Sequence, residues 1–453
     1  MTVKNNLIIA MIVLFIEGFV SLSFQMLYIR QLIPFVGNSV EVVSWIIGVF
    51  LIALAIGYKK GGEYTGDIKQ KLIKNLYFSV IIAGIGLSFL FVELYFASEV
   101  FKSYNLMQIY CLLIVFPVTY FLGQTLPLVT NIMKGDKVSQ ISGNVLFLST
   151  IGSFIGAIIT TNILLKYFGV SLTIYINVVL LISLIFILNI SVIKNNLLFK
   201  SFEFTLILAF MYIINIPIEL ENFVKTNQYA NYKIIDNGSK KIFTSNKSYS
   251  SILEDDKKYG YIKYLEDILF NDLKLKNKDI LIIGAGGFVL SKDLEYTKNK
   301  FTYVDIDPAI KNIAEKHFLK EPINGEFIAL DGRDYINNTD KLFDVILLDA
   351  YSSNVSIPEH LASKEFLLSL KEKLNYGGIL AINTIYKTNL FDEFSLKMNN
   401  TINSVFKNCF IVPINTKSEI TNVEYICFNY ENENIYTDNK NNSNNDFYKL
   451  MKN

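Results

Sequence analysis

The chain has 453 residues, of which 51% are hydrophobic and 18% charged, and its mean hydropathy is +0.35. It is more apolar than an ordinary soluble protein, and a net charge of +1 gives no electrostatic case for nucleic-acid binding. The cysteines Cys111, Cys409 and Cys427 are scattered without a CxxC pair, and only two histidines are present. We therefore expect neither a disulfide scaffold nor a metal site.

Long apolar runs fill the first half of the sequence. Most of them reach the roughly 20 residues that a helix needs to cross a bilayer. Small residues within several runs would let helices approach closely in lipid. The sequence therefore predicts a helical membrane domain of six or seven spans over residues 1–220, with the lipid bilayer as its partner. The runs are Leu7–Ile29, Val40–Tyr58, Leu76–Phe96, Met107–Val129, Val145–Leu165, Val170–Ile193 and Phe202–Ile218.

Basic residues divide unequally between the two sets of alternating tails and loops. One set holds ten lysines, and the other holds only Arg30, Lys102 and Lys166. The positive-inside rule then places the N-terminus in the cytoplasm. Seven full crossings would put the C-terminal half outside, whereas six would return it to the cytoplasm if the short, proline-containing run Phe202–Leu220 does not cross. A third arrangement has seven spans with the N-terminus outside.

From about Gln228 the pattern changes to short runs separated by turn residues. The stretch Tyr232–Asp256 has the signature of a β-hairpin. Strands then alternate with helices, which predicts a doubly wound, parallel, Rossmann-like α/β domain with ligands at the carboxyl ends of the strands. We predict strands at Asp279–Gly284, Phe301–Asp307, Gly325–Gly332, Phe343–Asp349 and Gly377–Ile385, and helices from the first strand to about Tyr296, at Pro308–Lys320 and at Ser363–Leu374.

These patterns divide the chain into four parts. Residues 1–220 form the helical membrane domain, and residues 221–270 form the hairpin and the helix that follows it. Residues 271–432 form the nucleoside-binding catalytic domain. The Asn-rich tail, residues 433–453, is expected to be partly disordered.

Polar residues and glycines follow four consecutive predicted strands. Gly284 and Gly286 lie in a loop after the first strand, and Asp305 ends the second strand at the spacing of a carboxylate that binds ribose hydroxyls. The pair 331–332 ends the third strand, where an aspartate and a glycine amide could meet an adenine edge, and Asp349 ends the fourth. A dinucleotide enzyme needs only the first two of these features. An S-adenosyl ligand therefore fits better, and the predicted domain is of the S-adenosylmethionine-dependent methyltransferase type.

At these residues the sequence resembles the membrane-fused members of the spermidine synthase (polyamine aminopropyltransferase) family. The most specific match is "DAYSSNVSIPEHLASKEFL" (Asp349–Leu367), which is similar to the loop and helix after the catalytic aspartate. "SNKSYSS" (Ser245–Ser251) resembles the family's N-terminal hairpin, and "YGYIKY" (Tyr259–Tyr264) its tyrosine-bearing gate helix. The membrane half is similar as well, in "FLGQTLPLV" (Phe121–Val129) among others.

The resemblance implies a role for each matching residue. Asp349 matches the general base that deprotonates the acceptor amine, and Tyr261 matches the tyrosine that orients this amine. Gly284 and Gly286 match the nucleoside loop, and Asp305 matches the acid that holds the ribose. The adenine contacts match Asp331 and Gly332. The implied activity is transfer of an aminopropyl group from decarboxylated S-adenosylmethionine to a diamine or polyamine, without a metal, in a protein that often forms homodimers.

Some positions depart from the family pattern. Gly287 stands where the nucleoside loop usually has an aspartate, and Ala230 and Ile262 stand at positions of family glutamines. Ser352 replaces a second acid after Asp349. The donor and the acceptor therefore stay open. The alternatives are an S-adenosylmethionine-dependent methyltransferase or lyase acting on a membrane-associated small molecule, and a polyamine transporter or sensor with a synthase-like binding domain.

The chemistry also bears on the compartment. Both sulfonium donors, S-adenosylmethionine and its decarboxylated form, are made in the cytosol. We therefore expect an integral membrane protein with a cytoplasmic catalytic domain. Together with the lysine distribution, this expectation requires that the last hydrophobic run does not cross fully.

Overall fold

The structure, a computed structural model, describes residues 3–37, 39–97, 103–133, 138–193, 197–351, 357–415 and 420–430. Ser352 and the predicted tail 433–453 lie outside the described residues. The chain forms two compact units. The first contains Met1–Lys258, Ala309–Pro322 and Tyr351–Pro358, and the second contains Tyr259–Pro308, Ile323–Ala350 and Glu359–Asn453.

The first unit begins with apolar helices that follow the predicted hydrophobic runs. Two π-helical segments, Thr160–Phe168 and Cys111–Val115, continue the helices that end at Ile159 and Tyr110. The helices are α1 Val3–Val36, α2 Val40–Gly62, α3 Ile68–Gly86, α4 Phe89–Phe96, α5 Ser103–Tyr110, α6 Phe116–Gly123, α7 Thr125–Ile132, α8 Val138–Ile159, α9 Gly169–Ile193, α10 Leu197–Ile213 and α11 Ile216–Asn222.

Several of these helices are long and apolar enough to cross a membrane. In the described part of the chain five segments meet this test, or six if the bent pair α3 and α4 forms one span. Ser139–Asn189 covers most of α8 and α9 and the π-helical segment Thr160–Phe168 between them. The last segment passes as well, although we expected it not to cross. The five are Ile8–Val36, Val40–Gly62, Asn105–Ile132, Ser139–Asn189 and Ser201–Asn222.

The two ends of α1 lie at opposite ends of this group of helices. Near its start, Ile9 and Val13 line one cavity with Asp67, which precedes α3. Near its end, Arg30 donates hydrogen bonds of 2.6 Å to the backbone oxygen of Asn227 and to Oδ1 of Asn231, in the segment that follows the helices. The N-terminal end of α1 and the segment after α11 are therefore on opposite sides of the helical part.

The predicted hairpin is part of a five-stranded antiparallel sheet in the same unit, with the order β1-β2-β3-β4-β5. Its core includes Phe243, whose ring packs against the rings of Tyr232 and Phe318. The strands are β1 Lys225–Thr226, β2 Asn231–Asp236, β3 Lys240–Ser245, β4 Ser248–Glu254 and β5 Lys257–Lys258.

The second unit contains a seven-stranded sheet with the order β11-β12-β10-β9-β6-β7-β8. The five predicted strands are confirmed and run parallel, and β12 pairs antiparallel with β10 and β11. This is the predicted Rossmann-like sheet of the S-adenosylmethionine-dependent methyltransferase type. The strands are β6 Asp279–Ile283, β7 Lys300–Asp305, β8 Glu326–Ala329, β9 Phe343–Leu348, β10 Leu374–Lys387, β11 Cys409–Pro413 and β12 Ile420–Phe428.

Helices connect these strands in the chain. The predicted helix at Pro308–Lys320 begins with α13 and continues as a π-helical turn, Ala314–Leu319. A further π-helical turn, Asp267–Asp272, continues α12. The helices are α12 Tyr261–Glu266, α13 Ile310–Ile313, α14 Gly332–Asn338, α15 Lys364–Glu372 and α16 Glu393–Val405.

The structure corrects two expectations. The helix predicted from the first strand to about Tyr296 is absent from this described stretch, where turns and a short 3-10 helix, Glu295–Thr297, follow β6. Phe288 and Asp293 have left-handed φ angles of 58°, which interrupt a right-handed helix. The second correction is a disulfide between Cys409 and Cys427. These cysteines lie directly opposite each other on β11 and β12, a pairing that only the sheet register reveals.

Candidate active site

Asp349 follows β9 directly and lies at the carboxyl edge of the sheet. The hydroxyl of Tyr261, the first residue of α12, donates a hydrogen bond of 2.6 Å to its Oδ2. The side-chain amide of Asn383 on β10 donates one of 2.8 Å to its Oδ1. The half-buried carboxylate is thus held at both oxygens, so its orientation is fixed before any substrate binds.

The surroundings of Asp349 also change its proton affinity. Burial raises its pKa to about 7, although the hydrogen bonds from Tyr261 and Asn383 act in the opposite direction. A carboxyl group with this pKa exchanges its proton near neutral pH. Such a group is suited to general acid–base chemistry.

Asp305 ends β7, beside the strand that leads into the glycine loop. Its Oδ2 accepts a hydrogen bond of 3.0 Å from the backbone N–H of Ala285, and its Oδ1 accepts one of 2.9 Å from that of Asp307. Burial raises its pKa to about 6, against these two hydrogen bonds. A carboxylate has about four lone-pair sites, so Asp305 keeps acceptor capacity for hydroxyl groups of a ligand.

Gly284, the first residue of the glycine loop, packs closely against the backbone of Asp349. Its φ of +94° is a conformation that residues with a side chain rarely adopt, and a Cβ there would lie 2.2 Å from the backbone oxygen of Asp349. Gly286, two residues later, also has a positive φ, of 50°. No helix begins at this loop in the described chain, so its backbone rather than a helix N-terminus is available to a ligand.

Asp331 and Gly332 have clear structural roles. Asp331 is the N-cap of α14, where its Oδ1 accepts hydrogen bonds from the backbone of Arg333 and Asp334, and its Oδ2 lies 2.9 Å from Nε2 of His360. Partial burial acts to raise the pKa of Asp331, but these partners outweigh it and hold the pKa below its ordinary value. Gly332 is buried, and a Cβ there would lie 2.5 Å from Cγ2 of Ile283 on β6.

The strand order brings the predicted residues to one edge of the sheet. The strands β9, β6, β7 and β8 are neighbours in the sheet. Asp349 follows β9, the glycine loop follows β6, Asp305 is the last residue of β7, and Asp331 comes shortly after β8. Among the described residues no group of three or more His, Cys, Asp or Glu side chains is placed to hold a metal ion.

Sequence reasoning missed three polar residues beside Asp349. Asn422 donates a hydrogen bond of 2.8 Å to Oδ1 of Asn383, the residue that holds Asp349. Glu424, which lies opposite Asn383 on β12, is completely buried. For Asn383 and Glu424 the only available signal was a polar residue within the apolar runs "LAINTI" and "VEYICF", and Asn422 precedes the second run.

Comparison with known proteins identifies the family of the domain that carries the candidate site. Residues 261–437 match the family model of the spermine/spermidine synthase domain. The C-terminal part of the chain is a spermine/spermidine synthase domain. All seven predicted site residues, Tyr261, Gly284, Gly286, Asp305, Asp331, Gly332 and Asp349, lie within the matched residues of the synthase domain.

Curated relatives match the synthase domain over part of their length. A polyamine aminopropyltransferase of Vibrio vulnificus is 36% identical over 155 residues, which are 33% of this chain and 49% of the relative. A probable polyamine aminopropyl transferase of Bifidobacterium longum is 32% identical over 130 residues, 28% of this chain and 29% of the relative. An eEF1A lysine and N-terminal methyltransferase homolog of Drosophila pseudoobscura pseudoobscura is 30% identical over 132 residues, 27% of this chain and 20% of the relative. The chain thus spans half or less of the length of these relatives.

Proposed function

We propose that the chain is a membrane-bound aminopropyltransferase that moves an aminopropyl group from decarboxylated S-adenosylmethionine to a diamine or polyamine. The observation that supports this most directly is the Asp349 carboxylate, which Tyr261 and Asn383 hold beside the glycine loop with a pKa of about 7. The relatives named as aminopropyltransferases favour the same reaction.

The donor would bind along the edge formed by the glycine loop and the aspartates. The backbone at Gly284 and Gly286 would approach the nucleoside, and the free lone pairs of Asp305 would accept hydrogen bonds from the ribose hydroxyls. Asp331 and Gly332 would contact the adenine in addition to their roles at α14.

Asp349 would act on the acceptor amine. An alkylammonium group is not nucleophilic until it loses a proton, and a fixed carboxylate can bind this cation and then take the proton. The sulfonium of the donor supplies an activated carbon. The amine lone pair forms the new N–C bond while the C–S bond breaks, and the electron pair of that bond stays on the sulfur of the released methylthioadenosine. The protein mainly orients the two partners.

Product analysis tests this function. We expect purified full-length protein to release methylthioadenosine and an aminopropylated amine when it is incubated with decarboxylated S-adenosylmethionine and a diamine. Asp349→Asn should reduce the rate by a factor of 100 or more, within the range of general acid–base catalysis. An unchanged rate in this variant would remove Asp349 as the base.

A methyltransferase is the second candidate. It is favoured by the methyltransferase relative and by Gly287, which replaces the aspartate that the resemblance leads us to expect in the nucleoside loop. Release of S-adenosylhomocysteine from S-adenosylmethionine, without methylthioadenosine from the decarboxylated donor, would favour this candidate over the first.

We also propose that the helical part lies in a membrane and that the synthase domain faces the cytoplasm, where both donors are made. Because the two ends of α1 lie on opposite sides of the helical part, this placement puts the N-terminus and its lysine-rich loops outside, against the positive-inside rule. The Cys409–Cys427 disulfide also suits an oxidising compartment better.

A protease-accessibility assay on vesicles of defined orientation tests on which side of the membrane the synthase domain lies. Protease added to inverted vesicles should cleave the synthase domain, whereas right-side-out vesicles should protect it. The reverse result would place the domain outside and would separate it from the cytosolic donors, so that the proposed reaction would lose its substrate.

A further inference from the structure

A cavity opens at the end of the helical part where α1 begins. Its volume is about 390 Å³, within the range of pockets that bind small molecules. Gly66, Asp67 and Lys69 line its mouth, where all three are exposed and the two charges are of opposite sign. The walls are apolar residues of α1, α3, α7 and α9. The cavity therefore suits a ligand with an alkyl part.

The inner end of the cavity is formed by three almost fully buried residues, Val13 of α1, Leu72 of α3 and Val129 of α7. Residues three or four positions apart lie on the same face of a helix, one turn of about 5.4 Å from each other. One turn further from the mouth, each of these helices carries a buried polar residue on that face. This polar cluster consists of Glu17, Asn75 and Thr125. The apolar cavity thus leads towards a polar cluster in the interior of the helical part.

Hydrogen bonding in the polar cluster is incomplete. Nδ2 of Asn75 donates a hydrogen bond of 3.2 Å to Oε1 of Gln124, the residue before Thr125, so α3 and the start of α7 meet at this depth. Oδ1 of Asn75 and Oγ1 of Thr125 have no hydrogen-bond partner in the described part of the chain, and neither has Oγ of Ser79, one turn further along α3. Buried polar atoms without a partner cost free energy. A ligand that donates hydrogen bonds at this place would remove part of that cost.

Glu17 gives the polar cluster a negative charge when it is ionised. Ser149 donates a hydrogen bond to its carboxyl group, and no basic side chain within the described ranges acts on it. Arg30, the buried base of the same helix, is bonded to the segment after α11 at the other end of α1. Long side chains of a helix lie over the turn that precedes their own Cα. Because α1 and α3 both run inwards from the mouth, Glu17 and Asn75 extend back towards the cavity.

We propose that the cavity binds an alkylammonium ion, with the alkyl chain against the apolar walls and the ammonium group between Glu17 and Asn75. An ammonium group carries only donors, which match the carboxylate and the amide oxygen that lacks a partner. A metal ion would lack ligands, because the described residues contain no group of three or more His, Cys, Asp or Glu that could hold one. This inference goes beyond the proposed reaction, since it gives the helical part an amine site of its own, outside the synthase domain.

Charged thiol reagents test the site in the full-length protein. Val129→Cys places a thiol at the inner end of the cavity, and Val118→Cys, at an equally buried valine of α6, is the matched control. Aminoethyl methanethiosulfonate is a cation of the proposed class, and sulfonatoethyl methanethiosulfonate is an anion of similar size. Mass spectrometry follows their addition, and the wild type, in which Cys111 is buried, gives the background rate.

We expect the cationic reagent to modify Val129→Cys and neither reagent to modify Val118→Cys. Adding Glu17→Gln to Val129→Cys should lower the ratio of the cationic to the anionic rate about tenfold, because the cation loses its charged hydrogen-bond acceptor. Glu63→Gln changes an exposed acid at the end of α2 and should leave the ratio unchanged.

A protection experiment on Val129→Cys alone does not depend on the folding of Glu17→Gln. Excess butylamine should slow the modification several-fold, whereas butanol, which has the same chain without the charge, should not. Equal protection by the two compounds would show an apolar cavity without an ammonium site and would overturn the inference. A thiol that reacts with neither reagent would overturn it as well, and so would a rate ratio that Glu17→Gln leaves unchanged.

Discussion

The hydroxyl of Tyr261 lies 2.6 Å from Oδ2 of Asp349, and the two residues are 88 positions apart in the sequence. This hydrogen bond stabilises the ionised carboxylate and lowers the pKa that burial raises to about 7. In the proposed reaction Tyr261 would therefore act through the protonation state and orientation of Asp349, as well as through any direct contact with the amine.

Tyr261→Phe removes this donor, so we expect the pKa of Asp349 to rise by roughly 1 unit. A general base acts when it is deprotonated, and the acidic limb of the pH–rate profile should therefore move to higher pH by the same amount. At pH 7 the rate should fall several-fold. The control is Tyr264→Phe, an exposed tyrosine on the same helix, which should leave the profile unchanged. An unshifted acidic limb in Tyr261→Phe would contradict the assignment.

The raised pKa of Asp349 also predicts how stability depends on pH. The folded-state pKa of about 7 lies above the ordinary value of 3.8, so the folded state binds the proton more tightly than the unfolded state. The ionised group therefore destabilises the fold increasingly as the pH rises from about 4 to about 7, and this cost is fully present above pH 7. Asp305, with a pKa of about 6, should add a cost of the same sign.

Asp349→Asn removes this cost together with the carboxylate that we propose as the base. We expect the variant to be more stable than the wild type at pH 8, on the order of 1–3 kcal/mol, and to differ little at pH 4. Thermal unfolding of the full-length protein at both pH values measures the difference. A variant that is equally destabilised at both pH values would show that the carboxylate has mainly a structural role.

Periodicity and chain order were enough to predict the edge of the sheet that carries the candidate site. The first four predicted strands each end in a polar residue or a glycine, and parallel strands bring such ends together, as Asp305, Asp331 and Asp349 show. Asn383 and Glu424 could not be found in this way. Each stands within an apolar run, and only the register of β10 against β12 shows that the two lie opposite each other, with Asn383 bonded to Asp349.

The errors have a similar origin. The helix expected after Gly284 depends on backbone angles, and the left-handed φ of Phe288 cannot be read from a run of apolar residues. Cys409 and Cys427 are 18 residues apart, a spacing that matches no disulfide pattern, yet the antiparallel pairing of β11 and β12 places them opposite each other. Local sequence predicts elements, whereas tertiary pairing decides which side chains meet.

Gly284→Ala should disable donor binding through the backbone. The new Cβ would lie 2.2 Å from the backbone oxygen of Asp349, and the φ of +94° adds strain on the order of 1–3 kcal/mol. We expect donor affinity to fall at least tenfold. Gly377→Ala is the matched control, because Gly377 has a φ of +74° but open space around its Cβ position. Calorimetric titration with methylthioadenosine measures both variants, and equal affinities in the two would exclude the clash as the cause.

Asp331 has a visible role as a helix cap and a proposed role in binding adenine, and substitution by serine separates the two. Serine is a good N-cap residue, so Asp331→Ser should change the free energy of unfolding by less than about 1 kcal/mol. Serine is too short to replace the second carboxylate oxygen, and the KM for the donor should therefore rise several-fold while kcat changes little. Asp392 caps α16 in the same way, through the backbone N–H of Ser395, and Asp392→Ser should leave this KM unchanged. If the two variants have the same donor KM, Asp331 serves only as the cap of α14, and the adenine contact must come from another residue.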